Sequence, residues 1–304
     1  MTTLTIGSRR SQLAQTQSNM VRQQLLAAWP ELTVNIELID TRGDINRTDP
    51  LPEIGGKGLF TLELEEALRD GRIDLAVHSL KDLPVEDSPG LAVVAIPLRA
   101  ATSDLLVSRR AAQVEDLPPG AVVGTSSLRR AAQLLALRPD LKMKDIRGNV
   151  ETRLRKLDDP AHGYDAIILA QAGLNRLGFD LDYAHPIPPA LMLPAPGQGA
   201  LGVQGRADDP DTNRYLAALD DAPTRAAATA ERAFLNGLGG GCSVPVGALA
   251  VVEDGRLRLQ GVVASVNGRQ VIRVKANGLT DQPQALGQAL AREAIEQGAR
   301  ELLG

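Results

Sequence analysis

Hydrophobic and polar residues alternate along this chain with two periods that take turns. Residues 33–40 place Val34, Ile36 and Leu38 between polar neighbours, the period-two pattern of a half-buried strand. Residues 11–28 place Leu13, Val21, Leu25 and Leu26 at helical spacing, and residues 58–69 repeat that pattern. Short apolar runs at residues 4–7, 74–78 and 91–96 read as strands. Strand and helix signals in alternation predict a largely parallel sheet covered by helices.

The alternation restarts after residue 100. Strands are expected at residues 104–108, 122–124, 142–146 and 166–170, with helices at residues 127–137, 149–157 and 172–177. A proline-rich stretch, residues 186–196, leaves this second α/β domain, and a strand at residues 199–204 is expected to return to the first. Two crossings between two α/β domains predict a hinged cleft, a common place for a ligand. The last third changes character. An Ala-rich helix at residues 223–235 precedes strands at residues 247–252, 256–264 and 270–276 and a helix at residues 283–302. Asp254-Gly255 and Asn267-Gly268 separate those strands, and both dipeptides are strong hairpin signals. The expected domains are residues 1–98 with 198–216, residues 103–192, and a small α+β domain with a three-stranded antiparallel sheet at residues 220–304.

Composition narrows the class. At 43% hydrophobic and 23% charged residues the chain reads as a soluble globular protein. It has no apolar run near the ~20 residues needed to cross a bilayer, and residues 1–7 lack the features of a signal peptide. One cysteine in 304 residues points to the cytoplasm. The net charge of −4 and an aromatic content of 2% oppose a nucleic-acid binder, which needs basic surface and exposed rings. Charge is unevenly spread, however. Residues 121–160 hold nine Lys and Arg against five Asp and Glu, a local charge of +4. Of the 33 basic residues 27 are Arg. Genomic base composition explains that bias equally well, but Arg also binds carboxylates and phosphates through two parallel hydrogen bonds, which Lys does not.

The candidate chemistry gathers at strand-to-helix turns. Thr125-Ser126-Ser127 follows a strand, and Arg129 and Arg130 fall in the first turn of the next helix. A hydroxyl cap is ordinary there. Two positive charges at a helix N-terminus are unfavourable by ~0.3–1 kcal/mol each, and a bound anion would offset them. Arg147-Gly148-Asn149, followed by Arg153 and Arg155, repeats the arrangement after the next strand, and Arg9-Arg10-Ser11 does so after the first. In doubly wound sheets such turns face the crevice beyond the strand ends, so their convergence predicts a cleft for a polyanion. Gly55-Gly56-Lys57-Gly58 lacks the spacing of a phosphate loop but suits an anion or a glycine-rich lid. Residues 197–202 match the dinucleotide glycine pattern, yet no strand precedes them and no helix follows, so a turn and strand are expected. In His78-Ser79-Leu80-Lys81-Asp82, Asp82 is either half of an ion pair or the one acid placed for proton work in a cationic cleft, while His78 reads as structural. His162 and His185 lie in loops, and no metal-ligand spacing appears. Cys242 follows Gly239-Gly240-Gly241. A free cysteine is most often a small buried hydrophobe, but bare backbone beside it also leaves room for a bulky group at sulfur.

Six motifs in order carry a resemblance across nearly the whole chain, from Ile6 to about Leu302. They are Gly55 through Phe60, His78 through Asp82, Gly124 through Arg130, Arg147-Gly148-Asn149, Leu193 through Gly199, and Gly240-Gly241-Cys242. Together they resemble the porphobilinogen deaminase (hydroxymethylbilane synthase) family. The resemblance implies two hinged α/β domains like those of periplasmic binding proteins plus the small C-terminal domain. It implies a transferase of porphyrin and heme biosynthesis that joins porphobilinogen units into the linear tetrapyrrole hydroxymethylbilane and releases ammonia. It implies a dipyrromethane cofactor on a thioether to Cys242, no metal, and a monomer with porphobilinogen as its small-molecule partner. No nucleic acid, membrane or obligate protein partner is implied.

Residue by residue, the resemblance makes Asp82 the catalytic carboxylate. Ser79, Lys81, Asp82, Thr125, Ser126, Ser127, Arg129, Arg130, Arg147, Gly148 and Asn149 match cofactor-binding positions. Arg9, Ser11, Lys57, Phe60, Arg147, Arg153, Arg176 and Gln198 match substrate-binding positions. Each pyrrole carries an acetate and a propionate, which is what an Arg-lined cleft would neutralise. Asp82 would accept the pyrrole N–H while the aminomethyl group leaves and help move the proton lost on rearomatisation. The rival readings are a non-catalytic anion-binding protein on the same scaffold, which has no need of Cys242, and a DNA-binding regulator, for which no helix-turn-helix is found.

Overall fold

The computed structural model describes residues 2–41, 61–240 and 244–303 of the chain. In chain order the elements are β1 (Thr3–Arg9), α1 (Gln12–Ala28), β2 (Thr33–Ile39), α2 (Leu62–Arg69), β3 (Leu75–Ser79), β4 (Leu91–Ala95), β5 (Asp104–Val107) and β6 (Val122–Gly124). Then follow α3 (Leu128–Leu137), β7 (Lys142–Lys144), α4 (Val150–Asp158), β8 (Ala166–Ala170), α5 (Gln171–Arg176), β9 (Ala184–Pro186), β10 (Leu201–Arg206) and α6 (Pro210–Ala217). The last are α7 (Ala222–Gly237), β11 (Val246–Glu253), β12 (Arg256–Ala264), β13 (Val271–Leu279), α8 (Pro283–Glu296) and α9 (Ala299–Leu303).

The chain divides into two compact units, Met1–Ala100 with Ala200–Arg225, and Ala101–Gly199 with Ala226–Gly304. The first is built on a five-stranded sheet of order β2-β1-β3-β10-β4. β1 pairs in parallel with β2 and β3, and β10 runs antiparallel to β3 and β4. Helices cover both faces. Leu4, Ile6, Val34 and Val77 pack with Val21 and Leu25 of α1 and Leu216 of α6. Ile39, Ile73 and Ala76 pack with Leu64, Ala67 and Leu68 of α2. Burial on both faces accounts for the continuous apolar runs of the central strands.

The second unit holds a sheet of order β7-β6-β8-β5-β9, in which β6 is parallel to β7 and β8, and β5 is antiparallel to β8 and β9. Each five-stranded sheet thus runs second, first, third, an antiparallel strand, fourth. In each, the antiparallel strand is the first one made after the chain enters the unit from the other: β5 in one case, β10 in the other. The second unit also contains the antiparallel sheet β11-β12-β13. Its core joins Phe234 of α7 to Leu257 and Leu259 of β12, Val274 of β13 and Leu290 of α8.

Several boundaries differ from the sequence pattern, each for a local reason. β7 stops at Lys144 because the Ile146 N–H and C=O are both engaged by the Ser126 hydroxyl. The helix expected through residue 302 breaks into α8 and α9 at Gly298, whose φ of 96° no helix accommodates. β9 takes up His185, which was expected in a loop, and meets the proline-rich stretch only at Pro186, and α6 was not expected, although Asp209 caps it and Pro210 opens it.

Candidate active site

In the first unit the sites gather at the C-terminal ends of the neighbouring strands β1 and β3. Arg9 closes β1, and Ser11 caps α1, its hydroxyl accepting from the Ala14 N–H at 3.3 Å. Ser79 closes β3 and accepts from Gln17 Nε2 at 2.9 Å, which ties α1 to the turn after β3. Leu80, Lys81 and Asp82 form a single 3-10 turn. Leu80 and Leu83 are buried and anchor it, and the Leu80 N–H donates to the Ala200 carbonyl at 3.0 Å. Gly202 makes this packing fit, since a Cβ there would lie 3.0 Å from Leu83 and 3.1 Å from Leu80. Asp82 itself is exposed, and no hydrogen bond or ion pair engages its carboxylate among the described residues. The turn therefore holds a carboxylate out on a fixed base.

Behind it, His78 is buried and its Nε2 lies 3.2 Å from Gln204 Oε1. Burial pushes the imidazole down to about 4, against the hydrogen bond to Gln204 and helped by Arg9. His78 is therefore neutral at pH 7 and structural.

In the second unit three adjacent parallel strands, β7, β6 and β8, are each followed by a turn or helix that carries Arg. After β6, Thr125 Oγ1 accepts from the Ser127 N–H at 3.2 Å, and Ser127 caps α3 by accepting from the Arg130 N–H at 3.4 Å. Ser126 Oγ donates to the Ile146 carbonyl at 2.7 Å, joining this turn to the one after β7. There Arg147 Nε donates to Asp145 at 3.1 Å, and Gly148 has φ 113°. Asn149 caps α4 by accepting from the Thr152 N–H at 2.9 Å, and Arg153 Nε donates to the Gly148 carbonyl at 2.8 Å. After β8, Arg176 ends α5.

Arg129 and Arg130 are buried, and the anion that balances them is Asp104 of β5. Arg129 Nη1 donates to Asp104 Oδ2 at 2.8 Å and to the Leu193 carbonyl at 2.7 Å. Arg130 Nη2 and Nε donate to Asp104 Oδ1 at 2.7 and 3.1 Å, and its Nη1 donates to the Ile168 carbonyl at 3.0 Å. This corrects the inference that paired arginines at the helix start call for an external anion, because an internal carboxylate offsets one of their two charges. One carboxylate against two guanidiniums still leaves one positive charge. Burial opposes ionisation of Asp104, but the two guanidiniums outweigh it and hold its carboxyl well below the usual range. Burial also lowers Arg129. Asp104 was missed from the sequence, although a charged residue opening the buried strand Asp104-Leu105-Leu106-Val107 was the signal.

Gln198 is buried, and its Nε2 donates to the Thr102 carbonyl at 2.7 Å and to Asp104 at 3.0 Å. Its amide hydrogens thus face the Asp104 cluster. Arg176 is different. Its Nη2 donates to the Gly199 carbonyl at 2.7 Å, while its buried Nε has no acceptor and no carboxylate pairs with it among the described residues. Burial pulls its guanidinium down to about 10. A half-buried cation with an unused N–H is a site that an outside carboxylate would complete.

Lys57, Phe60 and Cys242 lie outside the described residues. Among the described residues no cluster of three His, Cys, Asp or Glu is placed to hold a metal, and no helix is long and apolar enough to cross a membrane.

Asp104→Asn is expected to destabilise the protein by about 3–5 kcal/mol, because it leaves two buried guanidiniums without a counter-charge. Denaturant titration measures this. A group with a lowered folded pKa stabilises above its unfolded value near 3.9, and the gain is lost as pH falls through the folded value. The wild type should therefore lose its margin over the variant only in strong acid, and a variant as stable as the wild type at pH 7 would refute the assignment.

A family profile described as "Porphobilinogen deaminase, dipyromethane cofactor binding domain" matches residues 4–214, and one described as "Porphobilinogen deaminase, C-terminal domain" matches residues 226–296. The chain is 54% identical over 301 residues to a porphobilinogen deaminase of Roseiflexus sp. (strain RS-1), covering 99% of this chain and 98% of that one. It is 49% identical over 303 residues to a porphobilinogen deaminase of Chromobacterium violaceum, covering 100% and 97%. Among solved structures, the methionine binding protein MetQ aligns at TM-score 0.42 and 14% identity, over 71% of this chain and 88% of that one.

Proposed function

The chain belongs to the porphobilinogen deaminase family, and on that premise we propose how its residues carry out the family's reaction. It is a transferase, a hydroxymethylbilane synthase, that condenses porphobilinogen into a linear tetrapyrrole with release of ammonia on a dipyrromethane cofactor. That cofactor, when bound, supplies the free pyrrole carbon onto which substrate units are added.

The observation that carries the assignment of residues is Arg176, a half-buried guanidinium with an orphaned Nε and no carboxylate partner among the described residues. The uncompensated charge of the Asp104, Arg129 and Arg130 cluster supports it. A growing chain with an acetate and a propionate on every ring fits these donors, as do Arg147, Arg153 and the hydroxyls of Thr125, Ser126 and Ser127. Arg9, Ser11, Lys57 and Phe60 are assigned to the incoming substrate, and Ser79, Lys81, Gly148 and Asn149 to the cofactor. Gln198, assigned to substrate from the resemblance, is better placed to orient Asp104. Asp82 is the catalytic carboxylate. Its exposed position on a packed turn lets it accept the substrate's pyrrole N–H as positive charge develops, and then take up a proton. Cys242 is the tether. A single cysteine also suits a reducing cytoplasm, and the reaction calls for no nucleic acid, membrane or protein partner.

The test is the intact mass of the denatured protein with mapping of the Cys242 peptide. Added mass equal to a dipyrromethane on that peptide is expected, with further pyrrole units on it after incubation with porphobilinogen or hydroxymethylbilane. A Cys242 that stays bare, with no tetrapyrrole formed, would favour the anion-binding alternative.

A further inference from the structure

The segment 193–198, Leu-Pro-Ala-Pro-Gly-Gln, is held from two sides within the second unit. On one side it meets the arginine pair. Its Leu193 carbonyl accepts from Arg129 Nη1, and both Leu193 backbone groups are gripped by the Gln133 carboxamide, at 2.9 and 3.0 Å. Its Gln198 side chain donates to Asp104. On the other side it meets the layer built from α7 and β11. The Ala248 N–H donates to the Pro194 carbonyl at 3.0 Å. Glu231 of α7, fully buried, accepts from the Gly197 N–H at 2.7 Å with Oε2 and from the Ala250 N–H at 2.7 Å with Oε1.

We propose that Glu231 is a positioning residue for the Arg129 and Arg130 pair, acting through Gly197 and Gln198 on Asp104. A buried carboxylate is an expensive way to satisfy two backbone N–H groups unless their placement matters. Here one N–H belongs to the residue before Gln198, and the other to β11. With Gly197 fixed, the Gln198 carboxamide is aimed at Asp104. Asp104 in turn fixes how the Arg129 and Arg130 guanidiniums are turned. The same two elements, α7 and β11, flank residues 241–243 in the chain. The relay therefore links the layer bearing the proposed tether to the arginines that would hold the tethered group. It rests on the functional reading above.

Glu231→Gln tests it. A carboxamide has one acceptor and one donor group, so either orientation sets an N–H against the N–H of Gly197 or Ala250. The readout is the hydroxymethylbilane concentration that half-loads the protein, measured by denaturing intact mass rather than turnover. Glu231→Gln is expected to raise it roughly tenfold, the size expected for one lost charge-assisted hydrogen bond. Gln198→Leu should raise it similarly, and the double variant should add nothing further, since both act on one chain of contacts. Val274→Ala, in the same C-terminal core, is the control, and should lower thermal stability while loading like the wild type. Unchanged loading in Glu231→Gln, additive effects in the double variant, or an equal rise in Val274→Ala would overturn the proposal. If Glu231→Gln does not fold, Gln198→Leu decides alone, and wild-type loading there refutes it. A wild type that never loads sinks the functional reading with it, whereas a loading wild type with unaffected variants sinks only the relay.

Discussion

Replacing Asp82 by alanine is expected to lower turnover by roughly 10²–10⁴ while leaving the fold intact. The two halves of this expectation have separate physical grounds. The fold is spared because the Asp82 side chain is exposed and unbonded among the described residues, so its loss removes no packing and strands no partner. Surface changes of that kind stay within about 0.5 kcal/mol. The turn is held instead by Leu80 and Leu83 and by the Leu80 N–H bond to Ala200. Turnover suffers because Asp82 is the one acid in the 3-10 turn that closes β3, while Glu86 and Asp87 lie further along the connection to β4, so nothing in that turn replaces a carboxylate aimed at a developing cation. Asp82→Asn should retain the shape and most of the loss, since an amide accepts a hydrogen bond but neither carries the charge nor takes the proton. Single-turnover rates alongside denaturant midpoints separate the two halves. Turnover within threefold of the wild type would remove Asp82 from the mechanism.

Cys242→Ser is expected to yield folded protein of unmodified mass with no detectable turnover. A thioether forms when sulfur bonds to the methylene carbon of a pyrrole as its amino or hydroxyl group departs, the thiol proton leaving with that group as ammonia from porphobilinogen or as water from hydroxymethylbilane. A cysteine near its usual pKa of about 8.5 is a few per cent thiolate at neutral pH, whereas a serine hydroxyl is not measurably ionised there. Serine thus conserves size and polarity but not nucleophilicity. Mass spectrometry of the denatured variant, before and after hydroxymethylbilane, reads the tether directly. A serine variant with wild-type turnover would end the thioether assignment. Comparison with Arg176→Leu is informative, because that variant keeps the thiol and should acquire mass, at higher ligand concentration than the wild type.

Much of this protein was legible in its sequence because many of its decisive interactions are short-range. The alternating periods placed β1 through β4 and the helices between them, apart from ends that moved by a residue or two and residues 58–60, outside the described residues. Ser11, Ser127 and Asn149 cap α1, α3 and α4, since a cap joins residues only three apart. The hairpin dipeptides separated β11, β12 and β13. The family resemblance, carried by motifs, named the reaction and the cofactor. What the sequence did not determine was the state of charge at the site. It exposed two arginines at a helix start, a local misfit, but the carboxylate that resolves it comes from β5, 25 residues before Arg129, on a strand inserted antiparallel into the sheet. Likewise Glu231 reaches Gly197 from 34 residues away in the chain, and Arg176 stands without an acid only because of what folds around it. Periodicity and capping act over a few residues and are written locally. Burial, and with it the strength and availability of every charge, is a property of which distant segments exclude water together, so only the tertiary structure decided it.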